Sequence, residues 1–181
     1  QTCCGQPAWN SGDRADAAML DFEDAMKPTW SNLMQGVQNV KDAAEGTLSF
    51  TKTDEDGHPV KEYAIDPDDM PLLMVRVRGL HLYESNLLVN NIPVSGGLLD
   101  LVLTAYHAAQ TLIDQGKTPK YYIPKVEHYK EARWWNSVLS FIEAELELNE
   151  GTIKTTLLIE TLEAAFQMEE ILYEMRTHAA G

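Results

Sequence analysis

The 181 residues are enough for one domain with a substantial hydrophobic core, and 44% of them are hydrophobic. The 28 acidic side chains outnumber the 14 basic ones and give a formal net charge of -14, so neither duplex nucleic acid nor an anionic membrane is an expected partner. No apolar run approaches the roughly 18 residues of a membrane span, and the N-terminus lacks a signal pattern, which predicts a cytoplasmic protein.

The first predicted unit is a short strand followed by a helix. Residues 16–22 form an apolar run that ends in three carboxylates, Asp21, Glu23 and Asp24. From residue 29 onward, apolar side chains recur at three- and four-residue intervals, which predicts a helix that stops at Gly46. Residues 48–64 contain two strand-like runs around an Asp-Gly turn, so we expect a β-hairpin there.

The second predicted unit repeats this order. Residues 72–78 form an apolar strand that ends in Arg76 and Arg78. A small hairpin is expected to turn at residues 90–91. Ser95 and two glycines then open an apolar-striped helix, which Gly116 closes.

Two more strand and helix units complete the pattern. Residues 121–127 form the third strand, which carries Lys125 and Glu127, and a helix is expected over residues 129–148. Residues 152–159 form the fourth strand and place Glu160 at its C-terminal end. Its apolar run predicts a strand covered on both faces, and one helix should follow and cover one of them.

Four consecutive strand-then-helix units predict an α/β fold with parallel strands and right-handed crossovers. Two architectures satisfy this pattern, an open doubly wound sheet and a (β/α)8 barrel. The glycine-rich fingerprint G-x-G-x-x-G of dinucleotide-binding doubly wound sheets is missing. Each strand instead carries charged side chains at its C-terminal end, where barrel enzymes build their active sites.

Each charged group also has a purely structural interpretation. The three carboxylates after the first strand could be turn residues, the two arginines could form salt bridges, and Lys125 could pair with Glu127. The same position at four consecutive strand ends favours a single shared polar site. Carboxylates suit a hard divalent cation, and arginine suits a planar carboxylate or enolate.

Several segments together resemble one known family. They are Asp21-Phe22-Glu23-Asp24-Ala25, Pro28-Thr29-Trp30, Arg76-Val77-Arg78-Gly79-Leu80-His81-Leu82, Pro93-Val94-Ser95-Gly96, Tyr122-Ile123-Pro124-Lys125-Val126-Glu127, Gly151-Thr152-Ile153-Lys154, Leu158-Ile159-Glu160-Thr161 and Glu170-Ile171-Leu172-Tyr173-Glu174-Met175-Arg176. In these segments the sequence resembles the malate synthases, specifically their A-type form.

The resemblance implies a domain organisation. Residues 10–181 would form part of a TIM barrel, about four consecutive βα units with β-hairpin insertions, truncated at both ends. Residues 1–9 do not match the family. The missing half of the barrel would belong to the same polypeptide in the full enzyme.

The resemblance also implies an activity. Malate synthases are Mg2+-dependent enzymes of the glyoxylate cycle, which condense acetyl-CoA with glyoxylate and hydrolyse the thioester to give malate and CoA. Arg76 matches the catalytic arginine that stabilises the enolate and binds substrate. Glu160 matches a magnesium ligand at the glyoxylate site. Three further residues match family positions that would lie around metal-bound water, and these are Asp21, Glu23 and Asp24.

The sequence departs from the family pattern in ways that bear on activity. Val77 replaces a proline, and Thr177 stands where an acidic or amide residue is usual. The second magnesium ligand and the catalytic aspartate of the family have no counterpart here, so we expect the chain alone to be inactive. The alternatives are a noncatalytic α/β module and an acyl-CoA lyase similar to the citrate lyase β-subunit.

Overall fold

The computed structural model describes residues 17–181. The predicted boundary between segments 1–9 and 10–181 lies outside this range. The described elements are β1 Ala17–Asp21, α1 Trp30–Glu45, β2 Ser49–Thr53, β3 Pro59–Ala64, β4 Leu72–Arg76, β5 Tyr83–Val89, β6 Ile92–Ser95, α2 Gly96–Asp114, β7 Lys120–Ile123, α3 Tyr129–Glu145, β8 Lys154–Leu157, α4 Leu162–Ala165 and α5 Met168–Glu174. A single 3-10 turn, Pro67–Asp69, precedes β4.

The main sheet has the strand order β1-β4-β7-β8, and all three neighbouring pairs are parallel. A doubly wound sheet reverses its strand order at a switch point, whereas a (β/α)8 barrel keeps sequential strands adjacent. The described strands show no reversal. The chain also returns to β8 after α5, where Ala179 forms a parallel bridge with Thr155. The structure therefore confirms part of a TIM barrel.

Both predicted hairpins are present as antiparallel insertions between the barrel elements. β2 pairs with β3 and β5 pairs with β6. Asn90 and Asn91 have φ values of 51° and 63°, which suit the tight turn between β5 and β6. Each hairpin forms its own two-stranded sheet, so the order of the four strands in the main sheet is uninterrupted.

The hydrophobic core lies between the main sheet and its helices. Alternate strand residues such as Val75, Tyr121 and Leu157 point into this layer, where Leu33, Leu101 and Trp135 of the helices are buried. The expectation that the fourth strand is covered on both faces is wrong for the described residues. Thr155 is buried but Thr156 is only partly so, because the second face is the concave inner face of the sheet.

Several other element boundaries differ from the predictions, since β4 ends at Arg76 rather than residue 78 and β8 covers only Lys154–Leu157. The third strand ends at Ile123 because Pro124 has no N–H to donate, and Lys125 then adopts a φ of 56°. The single helix expected after Glu160 is divided into α4 and α5 around Gln167, whose ψ of 23° with φ of -129° is not helical. No helix among residues 17–181 has the length and apolarity needed to cross a bilayer.

Candidate active site at the C-terminal strand ends

The centre of the site is the guanidinium of Arg76, at the end of β4. Parallel pairing places Asp21 opposite Arg76. Nη1 of the arginine donates to Asp21 Oδ2 at 3.3 Å, and Nη2 donates to Glu23 Oε2 at 2.6 Å. Asp24 Oδ2 lies 2.8 Å from the same Nη2. All three carboxylates at the C-terminal end of β1 therefore converge on one cation.

A local turn after β1 brings these carboxylates together. Asp21 Oδ1 accepts hydrogen bonds from the backbone N–H groups of Glu23 and Asp24, at 2.9 and 3.2 Å. This pattern, in which an aspartate caps its own following turn, is common in short loops. Phe22 points the other way and is buried in the core, which anchors the turn. The alternation of acidic and aromatic side chains thus separates the site from the core.

A second ion pair forms at the ends of β7 and β8. Lys125 contacts Glu160 at two points, because its backbone N–H donates to Oε1 and its Nζ donates to Oε2, both at 2.9 Å. Burial by itself would raise the pKa of Glu160. The bonds from Lys125 and the charge of Arg76 outweigh that effect and hold the pKa below its ordinary value. Glu160 is therefore an ionised carboxylate at neutral pH.

The two ion pairs belong to one electrostatic field. Lys125 interacts with Glu23 and Asp24 as well as with Glu160. Four carboxylates and two cations, Arg76 and Lys125, leave this group with a formal charge of 2 - 4 = -2. Burial raises the pKa of Glu23, although Arg76 opposes this. The excess of negative charge attracts cations.

The donor set fits a magnesium ion. Mg2+ prefers hard oxygen ligands and commonly uses one or two carboxylates while keeping several waters. Glu160 and the exposed Asp24 supply such oxygens. Nε of Arg76 is buried without a hydrogen-bond partner in the described part of the chain, so the arginine retains unused donor capacity. The residues that could hold the metal are thus Glu160, with the carboxylates on Arg76 around it.

The metal-compatible cluster of three ligands found within residues 17–181 lies elsewhere. It consists of Asp54, Asp56 and His58 on the exposed turn between β2 and β3. Asp54 Oδ1 there already accepts two hydrogen bonds from the turn backbone. This cluster is a local turn arrangement, remote in sequence from the strand ends.

Arg78 is not part of the site, although the sequence placed it beside Arg76. Its side chain is buried and forms hydrogen bonds with Asp100 at 2.8 Å and with Glu84 at 3.1 Å. A Cβ atom added to Gly97 would lie 2.1 Å from the carbonyl oxygen of Arg78, so only glycine lets α2 approach this closely. Arg78 therefore fixes the start of α2 to the strand.

Glu127 is also outside the site. It is exposed, and its backbone N–H donates to Glu131 Oε2 at 2.8 Å at the start of α3. The alternative that Lys125 pairs with Glu127 is not what the structure shows. The pairing of Lys125 with Glu160 was missed because the two residues are 35 positions apart, and only the neighbouring positions of β7 and β8 could have indicated it.

Comparison with known proteins identifies the family. The family model described as malate synthase, TIM barrel domain, matches residues 72–181. This chain belongs to that family. Malate synthase from Myxococcus xanthus is 48% identical over 174 residues, which is 96% of this chain and 31% of the relative. Malate synthase A from Escherichia coli is 43% identical over 163 residues, 90% of this chain and 30% of the relative.

The chain spans about 30% of the length of these malate synthases. Solved malate synthase structures share its fold. The magnesium and glyoxylate complex from Haloferax volcanii superposes with a TM-score of 0.58 at 17% identity, over 93% of this chain and 41% of that one. The pyruvate and acetyl-CoA ternary complex from the same organism superposes with a TM-score of 0.59 at 18% identity, over 93% of this chain and 38% of that one. Both predicted key residues, Arg76 and Glu160, lie inside the matched family segment.

Proposed function

We propose that this chain carries part of the active site of a malate synthase, which condenses acetyl-CoA with glyoxylate and hydrolyses the thioester to malate and CoA. The observation that carries the proposal is the convergence of Arg76 and Glu160, with their charged partners, at the strand ends of a malate synthase barrel segment. Relatives crystallised with magnesium and glyoxylate, and with acetyl-CoA, support the choice of ligands.

Arg76 is proposed to stabilise the negative charge that develops on acetyl-CoA as it becomes an enolate. Its guanidinium stays protonated at any working pH, and three carboxylates fix its orientation in advance. Those carboxylates also over-compensate its positive charge. A divalent cation at the site would offset them and leave Arg76 able to act on an anion.

Glu160 is proposed to hold Mg2+, which when bound supplies a Lewis acid for the glyoxylate aldehyde. Asp21, Glu23 and Asp24 would orient the guanidinium and accept hydrogen bonds from water around the metal. Glu160 stays ionised because Lys125 and Arg76 lower its pKa against the effect of burial. The metabolic role that follows is synthesis of malate in the glyoxylate cycle.

The decisive experiment is a segment exchange. The matching 174 residues of the Myxococcus xanthus enzyme are replaced by this sequence, and thiol release from acetyl-CoA is followed with glyoxylate and Mg2+. We expect the chimaera to be active and the isolated 181-residue chain to show no turnover above background. A folded but inactive chimaera would favour the noncatalytic module, and cleavage of malyl- or citramalyl-CoA without malate synthesis would favour a lyase.

Substitutions in the chimaera test the two assigned residues. Arg76→Ala and Glu160→Ala should each lower kcat by about 100-fold or more, because each removes charge stabilisation at the reacting groups. Arg76→Ala should also lower the melting temperature, because the largely buried Asp21 and Glu23 lose their counter-charge, whereas Glu160→Ala should change it little. Arg133→Ala is the matched control, since Arg133 also binds a carboxylate, Glu174 at 2.7 Å, but on the surface. Wild-type activity in the Arg76→Ala, Glu160→Ala double variant would refute the assignment.

A further inference from the structure

Lys125 holds the Glu160 carboxylate at both oxygens, and the two contacts differ in kind. The backbone N–H bond to Oε1 is fixed by the fold, whereas the Nζ bond to Oε2 comes from a flexible side chain that is 39% exposed. Loss of the second contact would leave the first intact. Glu160 can therefore release one oxygen without losing its orientation.

The backbone at Lys125 is held in an unusual conformation. Its φ of 56° lies in the left-handed region, which costs energy for a residue with a Cβ atom. Pro124 precedes it and ends β7. In this conformation the backbone N–H of Lys125 points toward Glu160, which follows the neighbouring strand β8. A non-glycine residue in such a conformation beside a candidate site motivates a functional interpretation.

The Nζ atom of Lys125 lies where the surrounding carboxylates favour a cation. Lys125 interacts electrostatically with Glu160, Glu23 and Asp24. The site has a formal charge of -2, which draws in a divalent cation. That cation meets the same carboxylates. The ammonium group and the metal ion therefore compete for the same negative field.

We propose that Lys125 is a built-in counter-cation that exchanges with the divalent metal. Its Nζ neutralises Glu160 before the metal binds and then gives up Oε2, while its backbone N–H keeps Oε1 in place. This inference rests on the proposed function, because it takes Glu160 as a metal ligand. It makes Lys125 a positioning residue that also weakens metal binding.

Metal titration of the chimaeric enzyme tests this, with Mg2+ alone in a calorimeter and Mn2+ as a spectroscopic check. Lys125→Met removes the ammonium and keeps the backbone N–H, and it should bind Mg2+ about fivefold more tightly. Lys125→Gly should do the same without backbone strain, and it serves as the second variant if the first fails to fold. Lys125→Arg should stay within about twofold of the unmodified chimaera.

Lys41→Met is the matched control, because Lys41 has the same 39% side-chain exposure, pairs with Glu45 and carries the same charge. It should not change the affinity. Unchanged or weaker binding in both Lys125→Met and Lys125→Gly would overturn the inference while malate synthesis by the chimaera still upheld the proposed function. Absence of Mg2+ binding to the unmodified, inactive chimaera would overturn both.

Discussion

At the scale of single residues, two arginines separated by one position have different roles. Arg76 lies at the strand end, where its partner Asp24 has an exposed side chain, whereas Arg78 is buried with Asp100 and Glu84. The ion pairs of Arg78 raise its pKa despite the opposing effect of burial, so it remains charged. A buried charge must keep all its partners, because removing one leaves an uncompensated ion.

Glu84→Gln is expected to destabilise the chain by about 2–3 kcal/mol at pH 7, since it removes a buried charge partner of Arg78. Burial would raise the pKa of Glu84, but hydrogen bonds from Asn86 and Arg78 lower it below its ordinary 4.5. A lowered pKa contributes stability above that value and loses it as the pH falls. The difference between wild type and variant in urea unfolding should therefore shrink below about pH 4.5.

Asp114→Asn provides a control for this pH effect, because Asp114 is an exposed carboxylate that accepts a hydrogen bond from Gln110. Its unfolding free energy should differ from that of wild type by no more than about 0.5 kcal/mol at pH 7. A Glu84→Gln difference that stayed constant from pH 7 to pH 3 would contradict the assigned pKa direction.

At the scale of elements, the buried carboxylate Glu143 connects three segments that local patterns treat as separate. It lies on α3, accepts hydrogen bonds from the backbone N–H groups of Gly151 and Ile153, and its Oε2 is 3.1 Å from His178 Nε2. His178 is buried beside β8, where the chain returns to the sheet. The helix, the entry to β8 and the segment after α5 are therefore fixed together by one polar cluster.

The β2–β3 hairpin is the opposite case. Every residue of the two strands except Tyr63 is exposed. The hairpin base is closed by a hydrogen bond from Ile65 N–H to the Leu48 carbonyl at 3.0 Å. Replacing residues 49–64 by Asn-Gly should change the unfolding free energy by less than about 1 kcal/mol, because little buried surface is lost. Urea unfolding of the shortened chain checks this.

The corresponding change in the β5–β6 hairpin is the contrasting control. Replacing residues 85–94 by a short turn should be more damaging, because β6 ends at Ser95, the N-cap of α2, and Glu84 at the base of the hairpin binds Arg78. Equal losses of stability in both deletions would show that the first hairpin also supports the core.

At the scale of the whole molecule, the described barrel segment leaves apolar helix surface uncovered. Leu162 and Phe166 are four residues apart on and just after α4, with 70% and 80% of their surface exposed. Large apolar side chains at this spacing form a continuous patch. The isolated chain should therefore self-associate through α4.

Phe166→Glu combined with Leu162→Glu should raise the dissociation constant of this association by about tenfold or more, because it places charges in the contact. Light scattering after size-exclusion chromatography, over a range of concentrations, measures the change. Phe50→Glu is the matched control, since Phe50 is 60% exposed on the β2–β3 hairpin. A monomeric wild-type chain at every concentration would refute the expectation.

The sequence by itself determined the order and type of the elements, apart from the break between α4 and α5, because apolar periodicity, the Asp-Gly turn and helix-ending glycines act locally. It also determined that the candidate site residues share one end of the sheet, since parallel strands align their C-terminal ends. Only the tertiary structure decided the partners: Arg76 with the β1 carboxylates, Arg78 with Asp100, and Lys125 with Glu160. These pairings depend on strand order, glycine-limited helix approach and one left-handed residue, and no local pattern encodes contacts across so many positions.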